Sequence, residues 1–180
     1  AAGGVTTLQI LPGSANLIGG RGVVLHVVPA RGPRAMRFPG APETVKMACG
    51  ENPKRVYGDK GGPQTRMGNV YGRRKAFFAA QRYLDEWSRW EAKQNDPKAK
   101  GKKGPKKGKK GDEQSDEAPP EFDPALETLS GILTGEFLVQ THCYRADDML
   151  GVLQVADEFG FHIRSFHHAL EAHKIRDILA

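Results

Sequence analysis

The sequence predicts an α/β fold built around a parallel sheet, and three observations lead to this class. Continuous apolar runs in the first 50 residues are typical of strands that are buried on both faces. Large apolar side chains then recur at helical spacing over residues 69–93. Finally, residues 125–180 alternate between strand and helix patterns, as expected when crossover helices connect parallel strands.

Three short apolar runs predict the first strands, over residues 5–11, 22–28 and 44–48. Glycine and proline, which favour turns, separate each run from the next. Residues 19–22 (Gly-Gly-Arg-Gly) resemble a phosphate-binding loop, but no helix start follows them. We therefore expect an ordinary tight loop there.

The remaining elements follow from helical spacing and from signals at helix ends. A helix with one apolar face is indicated over residues 69–93 by six side chains: Phe77, Phe78, Tyr83, Leu84, Trp87 and Trp90. The pair Asp123-Pro124 marks the start of a second helix, over residues 124–134. Two strand–helix units follow, with strands over 137–142 and 161–166 and helices over 146–159 and 170–179.

A Lys-rich segment of low complexity divides the chain into two parts. Residues 98–110 contain eight lysines and no acidic residue, and removing these charges from the net charge of +6 leaves −2. Residues 94–124 are rich in Lys, Gly and Pro and then acidic, with Phe122 as their one large apolar residue. Because such a composition cannot bury a core, we expect a disordered insertion between folded segments over 1–93 and 125–180.

Cysteine usage and hydropathy set two further limits. Cys49 and Cys143 lie far apart and neither has CxxC spacing, so the sequence predicts no disulfide framework. Cys143 is expected to be a small buried residue. No apolar run approaches the roughly 20 residues that a membrane span needs. The sequence therefore predicts neither a membrane span nor a disulfide-stabilised scaffold.

Two histidines provide the strongest chemical signal. His142 and His168 fall near the ends of neighbouring predicted strands, one strand–helix unit apart. In a parallel barrel the C-terminal ends of the strands meet at one mouth, where active sites lie. Two neutral imidazoles delivered there could bind one metal ion. The open alternative is a pair of exposed or hydrogen-bonded histidines without a ligand.

Three blocks of sequence carry a family resemblance. They are residues 2–7 (Ala-Gly-Gly-Val-Thr-Thr), residues 41–58 (Ala-Pro-Glu-Thr-Val-Lys-Met-Ala-Cys-Gly-Glu-Asn-Pro-Lys-Arg-Val-Tyr-Gly), and residues 139–148 with 165–169 (Val-Gln-Thr-His-Cys-Tyr-Arg-Ala-Asp-Asp and Ser-Phe-His-His-Ala). In this order they resemble strands of the imidazolonepropionase/prolidase-like branch of the amidohydrolase superfamily. The resemblance implies a partial (β/α)8 TIM-type barrel, about strands two to six, with the Lys-rich insertion between the fourth and fifth strands.

The same resemblance implies metal ligands. His142 corresponds to the family's fifth-strand ligand and His168 to its sixth-strand ligand. His167 stands where relatives often have Glu and is expected to be a neighbour of the ligands. Lys46 corresponds to a fourth-strand lysine that some members carboxylate to bridge two metals. An ordinary exposed lysine, or one paired with a nearby glutamate, is the open alternative at Lys46.

Three residues are expected near a substrate. Arg145 could contact an anionic group, Asn16 lies in a loop that could line the pocket, and His167 adjoins the metal ligands. Asp147 and Asp148 follow Arg145 at a predicted helix N-terminus, where capping and the helix dipole favour acidic residues. We therefore expect these two aspartates to stabilise the helix rather than bind metal.

The function implied by the resemblance is hydrolysis of a C–N bond in a small-molecule amide, cyclic or linear. One or two divalent metals, with Zn²⁺ as the first candidate, would polarise the carbonyl and activate a water molecule. The family's first-strand His-x-His pair is expected before Ala1 and its eighth-strand, general-base Asp beyond Ala180, because neither is found in this chain. We therefore expect a segment that is inactive alone and poorly stable, because its strand edges are unpaired.

Two other classes of function stay open. One is a barrel relative that binds a ligand without turnover. The other is salt-dependent binding of nucleic acid or an anionic surface through the eight lysines. Because the Lys-rich tract lacks interleaved aromatic residues or arginines that could read bases, a solvated loop is the simpler expectation, and nucleic acid is not an expected partner.

Overall fold

The computed structural model describes residues 2–95 and 118–179. Within these ranges the strands are β1 (Thr7–Ile10), β2 (Ile18–His26), β3 (Thr44–Ala48), β4 (Leu138–Cys143) and β5 (Ile163–His168). The α-helices are α1 (Glu51–Tyr57), α2 (Arg66–Asn95), α3 (Pro124–Leu133), α4 (Ala146–Phe159) and α5 (Arg176–Leu179). Short 3₁₀ turns lie at Pro33–Met36, Gly58–Lys60 and Ala172–Ile175.

The five strands form one mixed sheet in the order β1-β2-β3-β4-β5. Strands β3, β4 and β5 are parallel, as predicted, whereas β2 runs antiparallel to both β1 and β3. The expectation of parallel first strands was wrong. Only residues 11–17 separate β1 from β2, whereas a parallel connection needs a crossover of about a dozen residues or more. The longer segment 27–43 between β2 and β3 contains one 3₁₀ turn and no α-helix that could form a crossover. The result is a mixed α/β fold whose curled sheet is consistent with part of a barrel.

The segment 19–22, expected to be a tight loop, lies within β2. Its glycines permit close approach of neighbouring strands. A Cβ atom at Gly22 would meet Leu11 Cδ2 at 2.5 Å and the Ile10 carbonyl oxygen at 2.8 Å, and one at Gly19 would meet the Lys46 carbonyl oxygen at 2.7 Å. Here glycine marks tight packing inside a strand rather than a turn.

Helices α2, α3 and α4 cover one face of the sheet and form the main core. Val45, Met47 and Val139 project from the strands into this core, where they are fully buried. Phe77 of α2 is also fully buried, and its ring centre lies 4.5 Å from that of Phe161. Because strand side chains alternate between faces, the other face of β3–β5 is left to the residues between these apolar ones.

Two predicted helices match their sequence signals closely. Asp123 caps α3, since its Oδ1 accepts hydrogen bonds from the backbone amides of Ala125 and Leu126. Gly160 ends α4 in a left-handed conformation with φ of 73°. The predicted helix over 69–93 lies within the longer α2. The fourth predicted helix, over 170–179, was wrong in part, because a 3₁₀ turn precedes the short α5. Helix α1 was not predicted.

Of the predicted insertion over 94–124, residues 94 and 95 belong to the end of α2 and Pro124 begins α3. Residues 118–123 have no regular secondary structure. The rest of the insertion, including the Lys-rich tract, lies outside the described residues. Within the described ranges no helix, not even the 30-residue α2, is apolar and long enough to cross a membrane.

Candidate functional site

Three parallel strands bring a cluster of polar side chains onto the face opposite the core. Across β3, β4 and β5, Lys46 pairs in register with Gln140, which pairs with Ser165. Two residues further along each strand, His142 pairs in register with His167. Residues that are paired in register share a face, so these five side chains line one surface towards the C-terminal ends of the strands.

The rings of His142 and His168 lie against each other at this end of the sheet. Their centres are 4.6 Å apart and their planes cross at 72°. Strand alternation alone would place His168 on the opposite face, beside its register partner Cys143. The backbone instead turns left-handed at His168 (φ 64°) and Ala169 (φ 43°), which redirects the His168 ring. Left-handed non-glycine residues cost energy and are concentrated at functional sites.

His142 is buried, with 1% of its surface exposed. Burial lowers the pKa of His142 to about 4, and the nearby positive charges of His168, Lys46 and His167 act in the same direction. The ring is therefore neutral near pH 7, which is the form that binds metals. Its Nε2 lies 3.0 Å from Nδ2 of Asn52, while its Nδ1 is buried and has no hydrogen-bond partner among the described residues.

Lys46 is also buried, with 3% of its surface exposed, and its Nζ donates a hydrogen bond to Ser14 Oγ over 2.7 Å. Burial lowers the pKa of its ammonium group. The two glutamates considered as partners are engaged elsewhere: Glu43 pairs with arginines, and Glu51 pairs with Lys54 and Arg66. Lys46 is therefore neither exposed nor paired with either of these glutamates.

His167 belongs to a separate hydrogen-bonded group with Gln140 and Ser165, beside the His142–His168 pair. Its Nε2 lies 2.8 Å from Oε1 of Gln140, and this oxygen also accepts a hydrogen bond from Ser165 Oγ. Burial, followed by the charges of Lys46 and His168, lowers the pKa of His167. Of the two adjacent histidines, His168 is therefore the one in ring contact with His142, and His167 faces Gln140.

The other two candidate substrate contacts lie at the surface with their polar groups engaged. Arg145 forms a two-point ion pair with Asp147, with Nε–Oδ1 and Nη2–Oδ2 distances of 2.8 Å. Asn16 Oδ1 accepts a hydrogen bond from the Tyr57 hydroxyl over 2.9 Å.

The N-terminus of α4 is capped differently from the expectation. The amide of Ala146 donates to Oε2 of Glu171 over 3.0 Å, so the cap comes from a residue beyond β5. Asp147 Oδ1 accepts from the amide of Asp148, whose own carboxylate pairs with Arg66 at 3.1 Å. Both aspartates lie in the first turn, where the helix dipole favours them.

Cys49 and Cys143 are joined in a disulfide, so the expectation of no disulfide was wrong. Cys49 directly follows β3 and Cys143 ends β4, and the parallel pairing of these strands brings their Cα atoms to 5.2 Å. This separation lies within the range that a disulfide requires. Cys143 is buried, as predicted. The bridge lies immediately beside His142, whose carbonyl accepts the Cys49 amide over 2.8 Å.

The donor set fits part of a metal site. Two histidines that share a Zn²⁺ each lie about 2.0–2.1 Å from it through a ring nitrogen, which places the ring centres roughly 5 Å apart. The His142–His168 separation of 4.6 Å is close to this arrangement. Across residues 2–95 and 118–179, however, no group of three or more His, Cys, Asp or Glu side chains could hold a metal ion. The described residues could therefore supply two imidazole ligands, and further His, Cys, Asp or Glu ligands of the same metal would have to come from elsewhere.

Several residues of this surface escaped sequence reasoning. Gln140 precedes His142 by two positions in a predicted strand, so period-two alternation could have placed it on the same face. Asn52 and Ser14 carried no periodic signal, because they come from the unpredicted α1 and from the β1–β2 loop. Only the folded chain brings their side chains to His142 and Lys46.

Two comparisons with known proteins found similar proteins, and both of these are named amidohydrolases. No family model matches the chain. It is 37% identical over 195 aligned residues to amidohydrolase tasK of Hapsidospora irregularis, a match that covers 99% of this chain and 18% of that protein. Its fold resembles the crystal structure of an amidohydrolase from Thermotoga maritima MSB8, with a TM-score of 0.76 and 34% identity over 99% of this chain and 40% of that one. Together, the two similarities support an amidohydrolase-type family for this chain.

Proposed function

We propose that this chain is a segment of a metal-dependent hydrolase that cleaves C–N bonds in small-molecule amides, cyclic or linear. The observation that carries the proposal is the contact between the His142 and His168 rings, 4.6 Å apart at the C-terminal ends of adjacent parallel strands. In barrels this end of the sheet is where active sites lie. The proposed architecture is about strands two to six of a TIM-type barrel, of the imidazolonepropionase/prolidase-like kind.

His142 and His168 are the proposed ligands of a divalent metal, with Zn²⁺ as the first candidate. The unpartnered, buried Nδ1 of a neutral His142 supports this role, because a buried ring nitrogen without a hydrogen bond is costly unless a ligand engages it. When bound, such an ion polarises a carbonyl and lowers the pKa of a water molecule to about 7. The remaining ligands and the general-base Asp are proposed to come from outside residues 1–180.

Lys46 is the proposed third contributor, in one of two forms. Its burial lowers the pKa of its ammonium group and so raises the fraction of neutral amine, which is the form that reacts with CO₂ to give an anionic carboxylated lysine. Such a group would supply hard oxygen donors for a second metal. In the unmodified form, Lys46 would instead donate to substrate oxygen from its position beside Ser14.

The other polar residues of the surface are proposed to position groups. Gln140 Oε1, which is engaged by Ser165 and His167, orients the His167 ring beside the metal ligands. His167, Asn16 and Arg145 are the proposed substrate contacts, and of these His167 lies nearest to the His142–His168 pair in the sheet register. The names of the two relatives favour neither a non-catalytic barrel nor binding of nucleic acid through the lysines.

The test is amide hydrolysis by the full-length protein that contains this chain, stripped of metal and reloaded with Zn²⁺. A panel of linear and cyclic amides serves as substrates. We expect His142→Ala and His168→Ala each to lower kcat/KM by at least about 100-fold, since even outer partners of metal ligands cost about 10- to 100-fold. The 180-residue chain alone is expected to show no hydrolysis.

The matched control is His162→Ala, an exposed histidine just before β5. This variant should keep kcat/KM within about twofold of the parent value, because the ring lies outside the polar cluster. Hydrolysis that survives in the metal-free protein, or in both His142→Ala and His168→Ala, would contradict the proposed function.

A further inference from the structure

The side chain of Asn52 holds two segments against the His142 ring. Asn52 lies in the first turn of α1, and its Nδ2 donates a hydrogen bond to the Ser14 carbonyl oxygen over 3.0 Å. The same Nδ2 lies 3.0 Å from Nε2 of His142. Because a carbonyl oxygen can only accept, the contact with Ser14 requires that the NH₂ end of the amide, rather than its oxygen, faces both partners.

This orientation determines where the His142 ring carries its proton. An amide NH₂ offers only hydrogens, so His142 Nε2 must accept from Asn52. In a neutral imidazole one nitrogen is protonated and the other is not, which places the proton on Nδ1. That nitrogen is the one with no hydrogen-bond partner among the described residues. Asn52 therefore stabilises the tautomer in which the proton lies on Nδ1, although this buried nitrogen has no acceptor among the described residues.

Metal binding at Nδ1 would require the opposite tautomer of His142. A histidine that binds metal through one nitrogen donates its other N–H to an acceptor, which fixes the ring and raises its basicity. Nε2 is already occupied by Asn52, so Nδ1 is the nitrogen available to a cation. Binding at Nδ1 needs the proton on Nε2, and Asn52 can accept that proton's hydrogen bond only by turning its Oδ1 towards the ring.

We propose that Asn52 is a positioning residue of the metal site, which contacts the non-ligating Nε2 of His142 and selects the ring tautomer through the orientation of its amide. This inference rests on the proposed function for its metal. Without metal, the amide NH₂ faces Nε2 and the proton is on Nδ1. With a divalent cation at Nδ1, the proton is on Nε2 and the amide oxygen accepts its hydrogen bond.

The test combines ¹⁵N NMR of the histidine ring nitrogens with Zn²⁺ titration of the full-length protein that contains this chain, as the parent and as variants of residues in this chain. We expect the metal-free parent chain to show His142 protonated at Nδ1. Asn52→Asp replaces the donor with a carboxylate that can only accept, so this variant should show His142 protonated at Nε2. It should also bind Zn²⁺ about 10-fold or more tightly, the size of effect known for such outer partners.

Asn69→Asp is the matched control. Asn69 is buried and its Nδ2 likewise donates to a backbone carbonyl, that of Gly50, rather than to a histidine. This control adds the same charge and should leave the His142 tautomer unchanged. If Asn52→Asp does not fold, the spectrum of the parent chain still decides the assignment.

The outcomes separate the inference from the proposed function. His142 protonated at Nε2 in the metal-free parent chain, or an Asn52→Asp chain that keeps the proton on Nδ1, would overturn the role of Asn52. Tautomers as expected, combined with no Zn²⁺ binding by any variant of the full-length protein, would support the contact between Asn52 and His142 and contradict the metal-dependent function.

Discussion

Removal of the Cys49–Cys143 disulfide is expected to lower the free energy of unfolding by about 4 to 5 kcal/mol. The bridge joins residues that are 94 positions apart, so it restricts a long loop of the unfolded chain. The chain-entropy treatment gives about 4.7 kcal/mol for a loop of about 100 residues. Urea unfolding of the oxidised chain, and of the same chain after reduction with a phosphine, measures this difference.

The Cys49→Ala/Cys143→Ala double variant is the control for side effects of the reductant. It should unfold at the same urea concentration with and without phosphine, close to the midpoint of the reduced parent chain. An unfolding midpoint of the parent chain that does not respond to reduction would contradict the disulfide. So would alkylation of both cysteines in denaturant without reductant.

Phe77→Ala is expected to cost about 3 to 5 kcal/mol of stability, the range for removing a fully buried phenylalanine. Phe77 is 0% exposed and packs against the rings of Phe159 and Phe161, with centres 5.4 and 4.5 Å away. This contact attaches α2 to α4 and to the residues just before β5.

The adjacent residue provides the control. Phe78 is 47% exposed and touches Phe159 only edge-on, with ring centres 4.9 Å apart. Phe78→Ala should therefore cost less than half as much as Phe77→Ala in the same urea experiment. Equal losses for the two variants would mean that α2 presents a different face to the sheet.

The second half of the fold could be predicted because its signals are local. Helices α3 and α4 carry a capping Asp123 and a left-handed Gly160, each within one turn of the helix that it bounds. The contact of His142 with His168 could be anticipated from their positions at strand ends. The left-handed turn that produces this contact could not, because it continues from His168 into Ala169, a residue that does not favour this conformation.

The first half of the fold was less predictable because a hydropathy pattern does not indicate the direction of a strand. The apolar runs in β1 and β2 indicate strands, yet the same runs suit either direction of pairing. The shortness of the segment between them, residues 11–17, was the stronger signal. Glycines 19, 20 and 22 were misleading, because glycine serves both turns and close strand contacts.

Long-range pairs were beyond sequence reasoning for a different reason. The disulfide and the contact of Asn52 with His142 join residues separated by 94 and 90 positions. Both depend on β3 and β4 being neighbours in the sheet, although α2 and the Lys-rich segment lie between them in sequence. Without that pairing, neither cysteine spacing nor the residues around Asn52 suggest a partner.

X-ray absorption at the zinc edge of the full-length protein that contains this chain, loaded with Zn²⁺, tests most directly whether residues 142 and 168 share a cation. We expect at least two imidazole nitrogens at about 2.0–2.1 Å from the zinc. We expect one fewer in His142→Ala and in His168→Ala, and no change in His162→Ala. Zinc without imidazole ligands, or a spectrum that is the same in all four chains, would contradict a shared cation.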